Sequence, residues 1–424
     1  MSSAGAGPRL PRAALARKSR GGAWLGVLLV LLTACGDARR AGPSAADLAA
    51  GPWEDVVLAA EGTRVVWRMW RGDPSINAFV DEWVAPRVRD RYGIELIAVE
   101  GSGQELVNQL AVERQAEARG ASDLLWINGE TFHNLRRMDL LDGPWSGSLP
   151  NSAAVDSTSP IIARDFEQDP AGFESPWGRV QFALIYDARR TPDPPRSFAD
   201  LGLWILENPG RFTHDQSFTG ITFLKMLMYS LGGGVEAFQG GFDEESYAVA
   251  SERVWRWVEM RRDAFWRSGL AYPQEVAELH RLFANGEVDF SMSNNENEVI
   301  TKVRQGTLPS TARPLLLRDG TIANTHFVGI AFNAPNPAGA MLVADFLLSP
   351  EAQLQKLRPE VWADGTVLDV DRLDPEWRER FADVADDPRA LSRDSLRRYA
   401  VPEVAPEYHE RLASDWRSRI RDRP

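Results

Sequence analysis

The feature that most constrains the fold is a unit of strand, short loop and helix that occurs three times in succession between residues 65 and 140. Each unit starts with five or six mostly apolar residues, typical of a buried strand, and continues with apolar residues spaced three or four apart, typical of a helix. The strands are predicted over 65–70, 94–99 and 123–127, and the helices over 76–92, 104–118 and 131–140. This order predicts an α/β fold with mixed, mostly parallel sheets flanked by helices.

The loops that follow these three strands are the first candidate site, because open parallel sheets bind ligands beyond the carboxyl ends of their strands. We predict ligand contacts from Trp70, Asp73, Gly101, Ser102, Gly103, Asn128, Gly129 and Glu130. Residues 101–103 either offer backbone amides to an anion or only close a tight loop. Glu130 either caps its helix or pairs with a cationic ligand.

A second α/β region extends over residues 211–293, with strands predicted over 211–214 and 288–292 and an apolar helix over 221–231. Its loops supply further predicted ligand contacts: Phe218, Thr219, Gly220, Asn294, Asn295 and Glu296. Helix capping is the alternative role for residues 218–220 and for Glu296. A strand over 326–332 returns the chain to the first region.

The N-terminus has the layout of a secretory signal peptide over residues 1–34, with five basic residues, no acidic ones and a final apolar run of 12 residues. That run is shorter than the roughly 20 residues a helix needs to cross a membrane. Cys35 is the only cysteine, and the sequence LTAC that it ends resembles the lipobox of bacterial lipoproteins, which implies cleavage and lipid attachment there. A free cysteine is the alternative. Residues 35–60 are predicted to form a flexible tether.

The length and net charge of the chain limit the number of lobes and the kinds of partner that we expect. The roughly 390 residues after the signal exceed what one hydrophobic core usually supports, so we expect two lobes. The formal net charge is −12, and loss of the basic signal makes it more negative, which argues against nucleic acid as a partner. The acidic balance either favours a cationic ligand or serves solubility alone.

The motifs of common enzymes are missing from the sequence: GxSxG, HExxH, GxxxxGK and CxxC do not occur. The five histidines, at positions 133, 214, 280, 326 and 409, are not spaced as metal ligands on a helix. We therefore expect neither catalysis nor a cofactor nor a metal centre.

Three phrases resemble the solute-binding proteins of bacterial ABC importers with the type 2 periplasmic-binding fold. They are ESPWGRVQFALIYDARR over 174–190, HRLFANGEVDFSMSNNENEV over 280–299 and VGIAFNAPNPAGAMLVADFLLSPEAQ over 328–353. The resemblance implies one lobe of residues 61–180 with 328–424, a second lobe of residues 181–327, and closure of the lobes on a solute by a hinge motion. It also implies that Trp177 contacts the ligand, with ordinary packing in the core as the alternative. The phrases over 123–144 and 210–233 resemble a subgroup associated with thiamine import.

The resulting prediction is a monomeric, lipid-anchored protein of the periplasm or cell surface that delivers a small solute to an ABC permease and its ATPase. A thiamine-like or polyamine-like cation is expected, because the loops supply aromatic rings, amides and carboxylates but no lysine. Arg71 and Arg179 are the only cations predicted nearby. Two alternatives are a lipid-anchored hydrolase that uses Asp73 with Glu130, and a sensor that presents the solute to a receptor.

Overall fold

The computed structural model describes residues 42–101, 103–384 and 387–421. Its strands are β1 (Arg64–Met69), β2 (Glu95–Glu100), β3 (Leu124–Ile127), β4 (Leu141–Asp142), β5 (Glu174–Gln181), β6 (Ala183–Asp187), β7 (Phe290–Ser293), β8 (Ala312–Leu315), β9 (Thr321–Ala331) and β10 (Ala400–Val401).

The α-helices are α1 (Ala45–Ala49), α2 (Trp53–Ala60), α3 (Pro74–Ala78), α4 (Ala85–Tyr92), α5 (Gly103–Gln115), α6 (Gly129–Arg137), α7 (Pro160–Ala163), α8 (Phe198–Glu207), α9 (Phe218–Gly232), α10 (Glu244–Glu259), α11 (Val276–Ala284), α12 (Glu298–Arg304), α13 (Pro337–Leu348), α14 (Pro350–Leu357), α15 (Pro375–Ala382), α16 (Arg393–Tyr399) and α17 (Pro406–Trp416). A π-helical turn, Phe79–Val84, joins α3 to α4, so the helix predicted over 76–92 is continuous.

The larger sheet is mixed and has the strand order β10-β9-β3-β1-β2, with β4 and β5 also paired to β9. Strand β1 pairs in parallel with β2 and β3, as the strand–loop–helix repeat predicts. The long strand β9 runs antiparallel to β3 and β5. The carboxyl ends of β1 and β3 therefore lie at one edge, where the loops with the predicted ligand contacts begin.

The smaller sheet has the order β7-β6-β8, and all its strands pair antiparallel. The mostly parallel arrangement predicted for both lobes is thus wrong for the smaller sheet, and in the larger sheet parallel pairing is limited to β2-β1-β3 and the short β9-β10 pair. A single residue, Phe182, separates β5 of the larger sheet from β6 of the smaller one. The mixed α/β class is confirmed, whereas the strand predicted over 211–214 is wrong: only an isolated bridge from Phe212 to Phe265 forms there.

Two hydrophobic cores cover the two sheets. The first is built from residues between 45 and 177 and between 327 and 381. The second contains residues between 182 and 322, together with a stripe of residues four apart near the C-terminus: Val404, Tyr408, Leu412, Trp416 and Ile420. The four residues from Tyr408 to Ile420 lie on one helical face, which packs against α9, and Val404 lies just before the helix. The C-terminal helix therefore contributes to the second core, although the sequence prediction assigned it to lobe 1.

The segment before β1 also differs from the prediction. Residues 45–60 form α1 and α2 instead of a flexible tether, because Ala45, Leu48, Val56 and Ala60 are buried in the first core. Ser44 caps α1, and its hydroxyl accepts the Asp47 amide hydrogen bond at 3.0 Å. The signal peptide of residues 1–34 and Cys35 lie outside the described residues. Within 42–101, 103–384 and 387–421, no helix is both long and apolar enough to span a membrane.

Candidate functional site

The candidate site is a cavity of about 370 Å³ between the two cores. Its size lies within the range of clefts that hold a small molecule. Nine residues predicted from the sequence line it: Trp70, Asp73, Gly103, Asn128, Glu130, Phe218, Thr219, Asn294 and Asn295. The first five follow β1, β2 and β3, either in the loops or in the first turns of α5 and α6, and the others come from the start of α9 and the loop after β7.

Glu130 is the most unusual of these side chains. Its Oε2 atom is buried and has no hydrogen-bond partner among the described residues. Burial raises the pKa of Glu130 to about 7, while Lys225 acts to lower it and Glu403 and Glu410 to raise it further. Because a buried carboxylate without a hydrogen-bond partner is costly, Glu130 is a candidate functional residue of the cavity wall.

Asp73 has a different environment from Glu130, because both of its oxygens are engaged. Its Oδ1 accepts a hydrogen bond from the Ser75 amide at 2.7 Å and so caps α3. Its Oδ2 lies 2.7 Å from Lys302 Nζ. Asp73 therefore holds the first lobe's loop and the second lobe's helix together.

Lys302 corrects the expectation that no lysine lies near the ligand, because it lines the cavity from α12. Its Nζ contacts Asp73 and, at 3.1 Å, Glu298 Oε1. Although burial opposes the shift, Lys302 and His280 hold the pKa of Glu298 well below its usual range. A second contact beside it, Gln305 Nε2 to Ser75 Oγ at 2.9 Å, also joins the lobes. Glu298 and Lys302 are four residues apart after a predicted strand. This spacing on a helix could have predicted their ion pair from the sequence.

The cavity wall includes aromatic side chains that sequence reasoning missed, namely Trp126 and Trp362. Trp362 stacks on His326 with ring centroids 5.8 Å apart and an interplanar angle of 12°. The Nε2 atom of His326 lies 3.1 Å from Asp364 Oδ1, within hydrogen-bond distance. Trp126 is two residues before Asn128, and strand alternation places both on one face, which was an available signal. Trp362 lies in a loop with no such signal.

Trp177 is fully buried and does not line the cavity, contrary to the prediction. It packs edge-on against Trp126 with ring centroids 4.8 Å apart and an interplanar angle of 81°. Trp67 and Trp362 each lie 5.2 Å from it. Trp177 thus supports the ring of Trp126 from beneath, because its own strand position faces the first core.

The predicted glycines have structural roles. Gly129 has a left-handed φ of 49°, and a Cβ there would lie 2.5 Å from the Phe166 ring. At Gly220 a Cβ would meet the Asp215 backbone oxygen at 1.8 Å. A Cβ at Gly101 would lie 2.8 Å from the Arg68 side chain. None of the three lines the cavity, and Ser102 lies outside the described residues.

Glu296 also lies outside the cavity lining. Its Oε2 accepts the amide hydrogen bond of Gln181 at 2.8 Å, where the chain passes from β5 to β6. Burial raises the pKa of Glu296 to about 7, and Arg179 acts to lower it. Glu296 therefore holds the crossing strands in place.

The balance of charge in the cavity is negative. Asp73, Glu130, Glu275 and Glu298 face one lysine, Lys302. Arg71 is paired with Asp81, with Nη1 2.9 Å from Oδ1, and does not line the cavity. Within the described ranges, no group of three or more His, Cys, Asp or Glu residues is arranged to hold a metal ion.

The fold is that of two-lobed periplasmic binding proteins. It has two sheets, two cores joined by crossing strands, and a cavity between the cores. The sequence matches the family of bacterial extracellular solute-binding proteins over residues 84–379, and the chain belongs to that family. It is 34% identical over 335 residues to protein YnjB of Escherichia coli strain K12, covering 78% of this chain and 86% of YnjB.

Solved structures share the fold at low sequence identity. AfuA of Actinobacillus pleuropneumoniae, with fructose-6-phosphate bound, has a TM-score of 0.61 at 13% identity and covers 85% of this chain and 99% of its own. The Atu4243-GABA receptor has a TM-score of 0.59 at 14% identity and covers 85% and 98%. A provisionally assigned spermidine/putrescine ABC transporter from Listeria monocytogenes has a TM-score of 0.57 at 14% identity and covers 84% and 99%.

Family membership establishes the general role. The chain is the solute-binding component of an ABC transporter, acts with permease and ATPase subunits, and works in the periplasm or at the cell surface. Family members of this kind bind solutes and do not transform them.

Proposed function

We propose that the solute held between the lobes is a small organic cation, thiamine-like or polyamine-like. The observation that carries this proposal is Glu130 Oε2, a buried carboxylate oxygen in the cavity wall without a hydrogen-bond partner among the described residues. A ligand ammonium, or another cationic N–H donor, that bonds to the Glu130 carboxylate compensates its charge on binding. A charge-assisted hydrogen bond of this kind contributes about 1.5 to 3 kcal/mol.

The aromatic walls support the same ligand class. Trp70, Trp126, Phe218 and Trp362 line the cavity, so a cation placed there meets several ring faces. Each cation–π contact is worth roughly 0.5 to 2 kcal/mol, depending on desolvation. Asn294, whose Nδ2 donates to Thr219 Oγ1 at 3.0 Å, keeps its amide oxygen available to a ligand donor.

The hydrolase alternative required Asp73 and Glu130 to act as an acid–base pair. Asp73 is occupied by the α3 cap and by Lys302, so it has no free oxygen in this arrangement to activate water. This favours ligand capture over catalysis. The names of the structural neighbours support no single ligand, since they include a fructose-6-phosphate complex, a GABA receptor and a spermidine/putrescine transporter.

A binding panel tests the proposal. Isothermal titration with thiamine, spermidine, putrescine, neutral sugars and inorganic anions should give binding of a cation only. Glu130→Gln should weaken that binding at least about tenfold, because it removes the negative charge but keeps the shape of the side chain. Glu82→Gln, at an exposed position, is the matched control and should bind as the wild type does. Binding of sugars or anions alone, or full affinity in Glu130→Gln, would contradict the proposal.

A further inference from the structure

The two crossing strands separate the cleft from a second cavity of about 720 Å³. Arg179 and Gln181 of β5 line the second cavity, whereas Val180 between them lines the cleft. On β9, Thr325 lines the second cavity and His326 the cleft. Because successive side chains of a strand point to opposite faces, the two cavities lie on opposite sides of β5, and they adjoin at Asn324 of β9, which lines both.

The second cavity is rich in arginine. Its lining includes Arg164, Arg179, Arg393 and Arg397. Among the described residues, Arg179 and Arg393 have no side-chain hydrogen bond and no ion pair, although Arg179 lies near enough to Glu296 to lower the pKa of that carboxyl group. Arg164 donates only to the Glu167 backbone oxygen, at 3.1 Å. Arg397 pairs with Asp394 at 2.5 Å, and both of these side chains are largely exposed.

The carboxylates of this cavity, in contrast, already have donors. Asp165 Oδ2 accepts the Gly129 amide hydrogen bond at 2.6 Å. Glu167 accepts the amides of Gly240 and Gly241 at 3.0 and 3.1 Å.

Glu403, the remaining carboxylate, forms an ion pair with the buried Lys225. The donors without acceptors are therefore guanidinium groups, and the chemistry that the cavity lacks is anionic.

We propose that this second cavity binds a small multivalent anion that carries phosphate groups. Arginine presents its donors in a planar fork that matches phosphate oxygens two at a time. Several guanidiniums spread around one cavity favour a ligand with more than one charged group, and the volume is sufficient for a small molecule. Such a phosphate is either a soluble compound or the head group of an anionic phospholipid.

Titration calorimetry with inorganic pyrophosphate at low ionic strength tests the site. The full chain should bind pyrophosphate, and Arg179→Gln and Arg393→Gln should each weaken the binding at least about tenfold. Arg89→Gln, which changes an exposed arginine on α4 outside the cavity, is the matched control and should leave the affinity unchanged. Equal affinity in all three variants, or no binding by the wild type, overturns the proposal.

Two further measurements complete the test. Arg393 is exposed at the start of α16, so Arg393→Gln decides the matter if Arg179→Gln disturbs β5 and lowers the thermal midpoint. Cosedimentation with phosphatidylglycerol vesicles, compared with phosphatidylcholine vesicles, distinguishes the sources of phosphate. Arginine-dependent binding to the anionic vesicles supports a lipid head group, whereas arginine-dependent binding of pyrophosphate alone supports a soluble anion. Anionic-vesicle binding that survives both substitutions counts against the site.

Discussion

Glu130 lines the cleft, and burial raises its pKa to about 7. A carboxyl group whose pKa is higher in the folded than in the unfolded protein stabilises the fold less as pH rises, because the unfolded chain releases the proton first. The cost develops between the ordinary pKa of 4.5 and about 7 and remains at higher pH. Glu130 thus lowers stability at neutral pH, as expected of a side chain retained for binding.

Replacing Glu130 by Gln should therefore stabilise the ligand-free protein at high pH only. We expect the difference in free energy of unfolding to be near zero at pH 4.5 and to approach about 3 kcal/mol at pH 8. Urea denaturation at several pH values measures it, with Glu82→Gln as the control. A difference that does not change with pH would show that burial does not shift the pKa of Glu130.

The two tryptophans Trp126 and Trp177 should respond differently to truncation. Trp126 lines the cavity, so Trp126→Ala should weaken cation binding by at least about 1 kcal/mol. Trp177 is buried beneath it, so Trp177→Ala should mainly lower stability, by about 3 to 5 kcal/mol. Calorimetry and urea denaturation separate the two effects. If a well-folded Trp177→Ala variant lost more affinity than Trp126→Ala, Trp177 would be a ligand-binding residue after all.

The contact between α3 and α12 joins the lobes across the cleft. Lys302 lies between Asp73 and Glu298, and Gln305 bonds Ser75 one turn further along. Removing one partner of a buried ion pair is costly, because the remaining charge has no compensation. These contacts therefore favour the closed arrangement of the lobes.

Lys302→Met should shift the ligand-free protein towards an open arrangement. Asp73 then loses its ion-pair partner from the second lobe, and Glu298 keeps His280, at 3.3 Å, so the contact across the cleft is weakened and the radius of gyration measured by small-angle X-ray scattering should increase. Gln305→Ala removes a neutral contact and should have a smaller effect in the same direction. A scattering curve of Lys302→Met that matches the wild type would show that this pair does not hold the lobes together.

The location of the whole molecule depends on its N-terminus, where Cys35 lies outside the described residues. We propose that lipid on Cys35 anchors the protein, because LTAC resembles a lipobox directly after the apolar run. Cys35→Ser should move the protein from the membrane fraction to the soluble fraction when cells are fractionated. Retention of the variant in the membrane fraction, as firm as that of the wild type, would disprove lipid anchoring.

Much of the fold could be predicted from local patterns. The strand–loop–helix units of residues 64–137 form close to their predicted bounds. A strand buries apolar residues with a period of 2 and a helix with a period of 3.6, so the spacing of apolar residues indicates which of the two forms. The C-terminal stripe from Val404 to Ile420 was equally regular, yet its pattern indicates only that one face is buried. Which lobe covers that face depends on the path of the chain.

In the cleft, too, some residues could be predicted from local sequence patterns and others could not. The residues after β1 and β3 were predictable as a group, because parallel strands end at one edge of a sheet and their loops must meet there. The partners of those residues were not predictable. Lys302 reaches Asp73 from 229 residues away, and Trp362 reaches the cavity from a loop without periodicity. Such contacts arise only when the crossing strands bring the two cores together, and a local sequence pattern contains no information about which distant residues then meet.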